Sequence, residues 1–415
     1  MEKTFKRVKY ACYSTNITMA IIGNLSPLLF LTFRNTYGIS YSLLGFLVLV
    51  NFCTQLGIDL IFSFFSHKFN IPKTVEFTPV LSFVGLILFA LAPTIFQNHV
   101  YVGLLLGTVV FSLASGLSEV LISPTIAAIP AENPDHEMSK LHSIYAWGVV
   151  AVVVLATLFL LCVGEEHWQI LVLLFSIVPL VSTGMFFKAE IPQMETPERV
   201  SGALAYFKKK ELWLCVFAIF LGGASECTMA QWSSGYLEQA LGISKVWGDI
   251  FGVALFGLML GLGRTLYSKY GKNIGKVLCL GAMGAAVCYL ICALVPVPPI
   301  GLLACALTGF CTSMLWPGSL IVASERFPTG GVFIYAMMAA GGDLGASVGP
   351  QLIGIVTDTV AAAPFAVEMA ANLAITPEQL GMKAGMLIAA LFPLIATFLF
   401  LYIWKGKKKK GLPLQ

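Results

Sequence analysis

The chain has 415 residues, 58% of them hydrophobic and 11% charged, with a formal net charge of +4. A water-soluble domain carries about 25% charged residues, so that class is excluded. Apolar runs of about twenty residues are long enough to cross a bilayer as helices, which satisfy their own backbone groups where water is absent, and the pattern is that of an all-α polytopic membrane protein.

Twelve spans are predicted in chain order, near 11–34, 41–65, 75–95, 99–127, 141–163, 168–187, 212–237, 247–268, 276–296, 300–323, 332–357 and 384–404. An even number puts both termini on one side. With the N-terminus inside, 22 of the 25 Lys and Arg residues fall in inside segments, against Arg34, Lys245 and Lys383 outside. Basic residues are retained on the cytoplasmic side, so both termini are expected in the cytoplasm and the chain in a plasma or inner cell membrane. The positive excess then reports topology and contact with membrane lipids, with no nucleic acid as partner. No short apolar core with a small-residue cleavage site follows the basic first ten residues, so the first span is expected to be retained.

One long connection is polar, KAEIPQMETPERVSGALAYFKKKE at 188–211. It divides a six-helix bundle at 1–188 from a second at 211–404, with a cytoplasmic linker at 189–210 and a polybasic cytoplasmic tail at 405–415. The halves echo each other. GIS precedes span 2 at 38–40 and span 8 at 242–244, Leu56-Gly57 recurs as Leu260-Gly261, and Gly116 with Pro124 in span 4 is matched by Gly309 with Pro317 in span 10. Two parallel six-helix repeats are an architecture of secondary transporters. Residues 359–383 are expected to form an outside loop with room for a short interfacial helix.

The chain carries no GxxxxGK[ST] phosphate loop, no HExxH pair and no Ser-His-Asp arrangement, which argues against an enzyme and against an ATP-driven pump. Its ten cysteines fall nearly all within spans and form no CxxC pair, so packed thiols are expected, with no cofactor and no metal.

Ionisable groups inside a membrane are costly unless they face a cavity or a partner, which makes each a functional candidate. Asp59, Glu119, Glu226 and Asp343 lie in spans 2, 4, 7 and 11. A carboxyl in a low-dielectric surrounding favours its neutral form, so Glu119 can load and release a proton as access alternates; a neutral acid bonded between helices is the alternative. Asn51, Gln55 and Asp59 recur at i, i+4 and i+8 and therefore share a face, turned toward a water-filled interior or toward another polar helix. Glu226, Gln231 and Trp232 form a set suited to a sugar, the acid and amide bonding hydroxyls and the indole covering an apolar ring face, with core packing the alternative for Trp232 taken alone. Asp343 follows two glycines, where it faces the same cavity or bonds a neighbouring helix. His142 and Tyr145 share a face of span 5, and His142, titrating near neutrality, is a candidate proton relay. Asn24 and Trp316 complete the candidate lining. Arg34 and Arg264 both lie near span ends, which leaves the four carboxylates without a cation at mid-membrane. An anion needs fixed positive charge at its site, so a neutral polyhydroxylated solute or a cation is expected instead.

Three patches, GLSEVLISPTIAAIPAENPDHEMSKLHSIYAWG at 116–148, GGASECTMAQW at 222–232 and GGDLGASVGPQLIGIVTD at 341–358, resemble the fucose permease branch of the major facilitator superfamily. The resemblance implies two pseudo-symmetric six-helix bundles and import of a small neutral polar solute, a sugar, together with protons. It also implies that Glu119 is the proton acceptor and that Asn24 lies at a polar position of the binding site. The pattern departs at FSHKFNIPKT (65–74), which lacks the acidic residue and second glycine usual between spans 2 and 3, and at GRTLYSKYGK (263–272), where Ser268 stands near the acidic position. Pro27 stands where the branch has a coupling carboxylate in span 1, which makes Asp59 its natural substitute, with capping of a gate at the loop between spans 2 and 3 as the alternative. A monomer is expected. The rival readings are a proton-coupled exporter of amphipathic or cationic compounds, and a solute sensor or scaffold that does not transport.

Overall fold

The computed structural model describes residues 2–65, 68–130, 134–192, 206–327 and 331–409, and among these there is no β-strand. The linker core at 193–205 and the end of the tail at 410–415 lie outside the described residues. The chain divides into two compact units, Met1–Tyr37 with Val50–Val200 and Gly38–Leu49 with Ser201–Gln415.

In the first unit, α1 (Glu2–Leu28) and α2 (Phe30–Tyr37) form one span bent by 45°. Pro27 removes an N–H from the helical ladder just before the bend, which is the usual cause of such a kink. There follow α3 (Tyr41–Phe65), α4 (Ile71–Ala90), α5 (Val100–Ala127), α6 (Pro134–Val163) and α7 (Trp168–Phe186). Asn70 starts α4 by accepting from the Lys73 N–H. α4 packs on α5 and α7, and α1 on α5, α6 and α7. The α4–α5 contact depends on reciprocal glycines: a Cβ on Gly107 would lie 2.7 Å from the Phe89 nitrogen, and one on Gly85 would strike the Phe111 backbone. Small residues of this kind let helices approach closely where apolar lipid gives little drive to associate. Cys12, Phe62, Val75, Leu121, Ile126 and Phe186 bring five of these helices together in the core of this unit.

In the second unit, α8 (Lys210–Leu241) ends at Gly242, whose φ of 68° favours glycine. A π-helical stretch, Gly248–Ala254, leads into α9 (Leu255–Tyr270) and then α10 (Ile274–Leu294). Span 10 is broken at Ser313 and Met314 into α11 (Pro298–Thr312) and α12 (Leu315–Arg326). The rest is α13 (Gly331–Ala361), α14 (Pro364–Asn372), α15 (Pro377–Ala389) and α16 (Leu391–Lys409). α13 packs on α8 and α15, α10 on α11 and α16, and α9 on α11.

Nine helical segments among the described residues are long and apolar enough to cross a bilayer, or eleven if each of two bent pairs counts as a span. Apolar side chains such as Leu161, Ile177, Met283 and Phe398 cover their outer faces. The chain is a multi-pass, all-helical membrane protein. The segment 359–383 holds the short helix expected there, α14, but less loop than expected. α13 runs on to Ala361, α14 turns 88° from it, and a capping box at Thr376 and Gln379 starts α15 within the same segment.

Candidate functional site

In the first unit the polar face of α3 meets the polar face of α5. The Gln55 amide donates to Asn51 Oδ1 at 3.1 Å, the Ser112 hydroxyl to Asn51 Oδ1 at 2.6 Å, and the Ser115 hydroxyl to Gln55 Oε1 at 3.0 Å. Gly116 permits this closeness, since a Cβ there would lie 3.1 Å from the Gln55 Cα. The open alternative for Asn51 and Gln55 is thereby decided toward the second helix: their side chains are engaged in helix association. One turn further on, Asp59 and Glu119 bring their carboxylate oxygens within 4.8 Å of each other. Asp59 is buried, whereas Glu119 keeps an exposed side chain on the stripe it shares with Ser112 and Ser115. Two carboxylates at this separation repel when both are ionised.

Elsewhere in the first unit α1 and α6 supply further polar groups. The Asn16 amide donates to the Leu141 carbonyl at 2.8 Å, tying the two helices together, and the exposed Tyr145 places its hydroxyl beside Gly23. Asn24 is half-buried and donates to the Ala20 carbonyl of its own helix at 2.8 Å. The backbone of His142 lies in α6, and its side chain is outside the described residues.

The second unit has a polar centre of another kind. Arg264 of α9 places Nη2 3.2 Å from Glu226 Oε1 of α8 and donates from Nε to the Ser313 carbonyl at 3.1 Å. That carbonyl has no i+4 donor, because the residue four positions on is Pro317, and the guanidinium supplies one at the break in the span. The Glu226 side chain is 14% exposed and that of Arg264 45%. Glu226 Oε2 is buried and has no hydrogen-bond partner among the described residues. This overturns the expectation that Arg264 lies too near a span end to serve a carboxylate. A long guanidinium stem reaches back along the helix, a distance that residue spacing alone does not register.

Trp232 takes the packing role that the sequence left open for it. It is 1% exposed, its indole N–H donates to the Pro350 carbonyl at 2.9 Å, and its ring packs on Tyr41 with centroids 6.0 Å apart. In this conformation it presents no free ring face to a solute. Gln231 is buried beside it. Trp316 is half-buried, with its ring lying against Gly223 and Gly342 next to the buried Asp343. Asp249, near the start of span 8, is fully buried and accepts from the Ser234 hydroxyl. Two further residues escaped the sequence reading: Asp358, whose carboxylate receives backbone N–H groups of α3, and Asn16. The signal for Asp358 was its position at a span end opposite the GIS turn, visible only once the two are known to meet.

Comparison with known proteins adds the family. The sequence model of the Major Facilitator Superfamily matches residues 11–350. No curated protein matches the sequence. Among solved structures, a bacterial homologue of the human lysosomal transporter Spinster, inward-facing and unoccupied, is similar at a TM-score of 0.75 and 12% identity, covering 99% of this chain and 98% of that one. The nucleoside transporter NupG follows at 0.70 and 14%, covering 96% and 98%. The E. coli fucose:proton symporter is similar at 0.61 and 16%, covering 96% and 99%, so the fucose permease branch does not stand out. At these identities the likeness is one of fold. With the family model matching more than four-fifths of its length, the chain belongs to the Major Facilitator Superfamily, a family of transporters and not of enzymes.

Proposed function

We propose that this transporter carries a small neutral polar solute, a sugar, by proton-coupled alternating access. The observation that carries the reading is the Glu226–Arg264 pair. It sets a guanidinium with spare donors beside a carboxylate oxygen lacking a partner, and the two charges balance. Neighbouring hydroxyls of a sugar can bond donor and acceptor together, whereas an anion would have to displace Glu226 from Arg264. Likeness to the fucose:proton symporter supports the solute class at the level of fold. The Asp59–Glu119 pair supports proton coupling, since a carboxyl that alternates between environments can bind and release a proton once per cycle. We take the protein to act as a monomer in the cell membrane, with both termini cytoplasmic. Its two bundles, 1–188 and 211–404, would then be joined by a cytoplasmic linker at 189–210.

A thermal-shift screen of the purified protein over neutral monosaccharides, amino acids and lipophilic cations selects the ligand, because binding to the native state raises apparent stability. In proteoliposomes with an imposed pH gradient, wild type should accumulate the radiolabelled hit, and Glu119→Gln should retain counterflow but lose uphill accumulation. Equal accumulation by Glu119→Gln removes Glu119 from coupling. The acidic pair would also suit an amphipathic cation, and a hit among the lipophilic cations alone would establish that exporter reading instead.

A further inference from the structure

The helix that passes from one unit to the other is fastened at its first turn. Residues Gly38–Leu49, which include the start of α3, belong to the second unit, and from Val50 onward α3 belongs to the first. Gly38, at φ 64°, makes the turn that brings the chain into α3. Ser40 provides the ordinary local cap, its hydroxyl accepting from the Leu43 N–H at 3.3 Å and its carbonyl from the Leu44 N–H at 3.0 Å. Two N–H groups of the first turn remain, and both go to one residue more than three hundred positions away. The Tyr41 N–H donates to Asp358 Oδ1 at 3.2 Å and the Ser42 N–H to Asp358 Oδ2 at 2.6 Å. A bidentate carboxylate on the positive end of a helix is a strong, charge-assisted contact.

The surrounding surfaces are cut to fit. The Gln351 amide donates to the Ser42 carbonyl at 3.2 Å, and the Ser42 hydroxyl to the Gly354 carbonyl at 3.4 Å. A Cβ on Gly45 would lie 3.0 Å from the Gln351 Cα, and one on Gly354 would strike the Tyr41 carbonyl. Tyr41 also packs on Trp232, whose indole is bonded to Pro350 of the same stretch of α13. Helix α3 thus meets α13 in part through backbone atoms and glycines. Polar bonds of this kind can exchange partners, and the freed N–H groups lie at a helix end where water can replace the carboxylate.

We propose that Asp358 is the latch of a gate at this end of the molecule, the end that the charge distribution puts outside, and that solute exchange on that side requires its bonds to α3 to break. The proposal rests on the alternating-access reading but is tested without solute. Leu44, fully buried in the first turns of α3, is replaced by cysteine, and its rate of alkylation by a hydrophilic maleimide is read by peptide mass spectrometry in purified protein with the native thiols retained. Leu47→Cys, at a second fully buried position, serves if the first reporter folds poorly. Asp358→Ala should raise the rate about tenfold, the factor that corresponds to about 1.4 kcal/mol. Asp358→Asn, which keeps an acceptor but loses the charge, should raise it less. Gly354→Val, which wedges the helices apart with the carboxylate intact, should raise it as well, an outcome that simple fraying of an uncapped turn does not produce. Unchanged labelling in Asp358→Ala and Gly354→Val overturns the latch and leaves the transport reading untouched. Faster labelling in both supports the latch, and solute accumulation by wild type in proteoliposomes tests the transport reading separately.

Discussion

The polar centre of the first unit and that of the second use similar residues in opposite ways. Along α3 and α5, Asn51, Gln55, Ser112 and Ser115 bond one another, so most of the polar stripe is spent on helix association and only its end, Asp59 with Glu119, remains for chemistry. Beside the Glu226–Arg264 pair a neighbouring span is interrupted instead, with a break at Ser313 and Met314. There a charged pair stands partly open beside freed backbone. A polar residue inside a membrane protein is therefore assigned by its partner: matched to another side chain on a continuous helix it holds structure, and beside irregular backbone it is available to a ligand.

Three measurements sharpen or break this contrast. The largest effect is expected at the second centre. Arg264→Ala leaves the Glu226 charge without its partner and should destabilise the protein by about 2 kcal/mol, the scale of a hydrogen bond to a charged group. The double variant Arg264→Ala with Glu226→Ala should recover part of that loss in thermal unfolding, because no lone charge is left behind. If the double variant is less stable than Arg264→Ala alone, the pair is not coupled as described.

A smaller effect separates packing from binding at Trp232. Trp232→Phe removes the bond to Pro350 while keeping an aromatic ring, and should lower stability by about 1 kcal/mol. The affinity for the screened solute should stay within about twofold, since the free energy of a lost stacking contact would give a larger change. A tenfold loss of affinity at unchanged stability would restore Trp232 to the binding site.

The smallest effect belongs to the ladder. Ser115→Ala deletes one interhelical bond and should cost about 0.6 kcal/mol, the average for such bonds in membrane proteins, with proton-driven accumulation retained. Loss of accumulation in Ser115→Ala would mean that the ladder and the Asp59–Glu119 pair act as one unit, and the division drawn between structural and chemical residues would fall.

The sequence by itself determined the class of fold, because hydropathy over about twenty residues is a local property and the bilayer punishes any unpaired backbone. It also picked out the carboxylates, since an ionisable residue in an apolar run stands out whatever surrounds it. Periodicity put Asn51, Gln55 and Asp59 on one face but left open what that face meets. Only the tertiary structure decided that Asn51 and Gln55 meet serines, that Glu226 meets Arg264, that Trp232 is packed against Tyr41 and Pro350, and that Asp358 caps a helix far away in sequence. These are pairings between separate helices, set by how far a side chain reaches and where a helix breaks, and residue spacing along one helix carries no record of either.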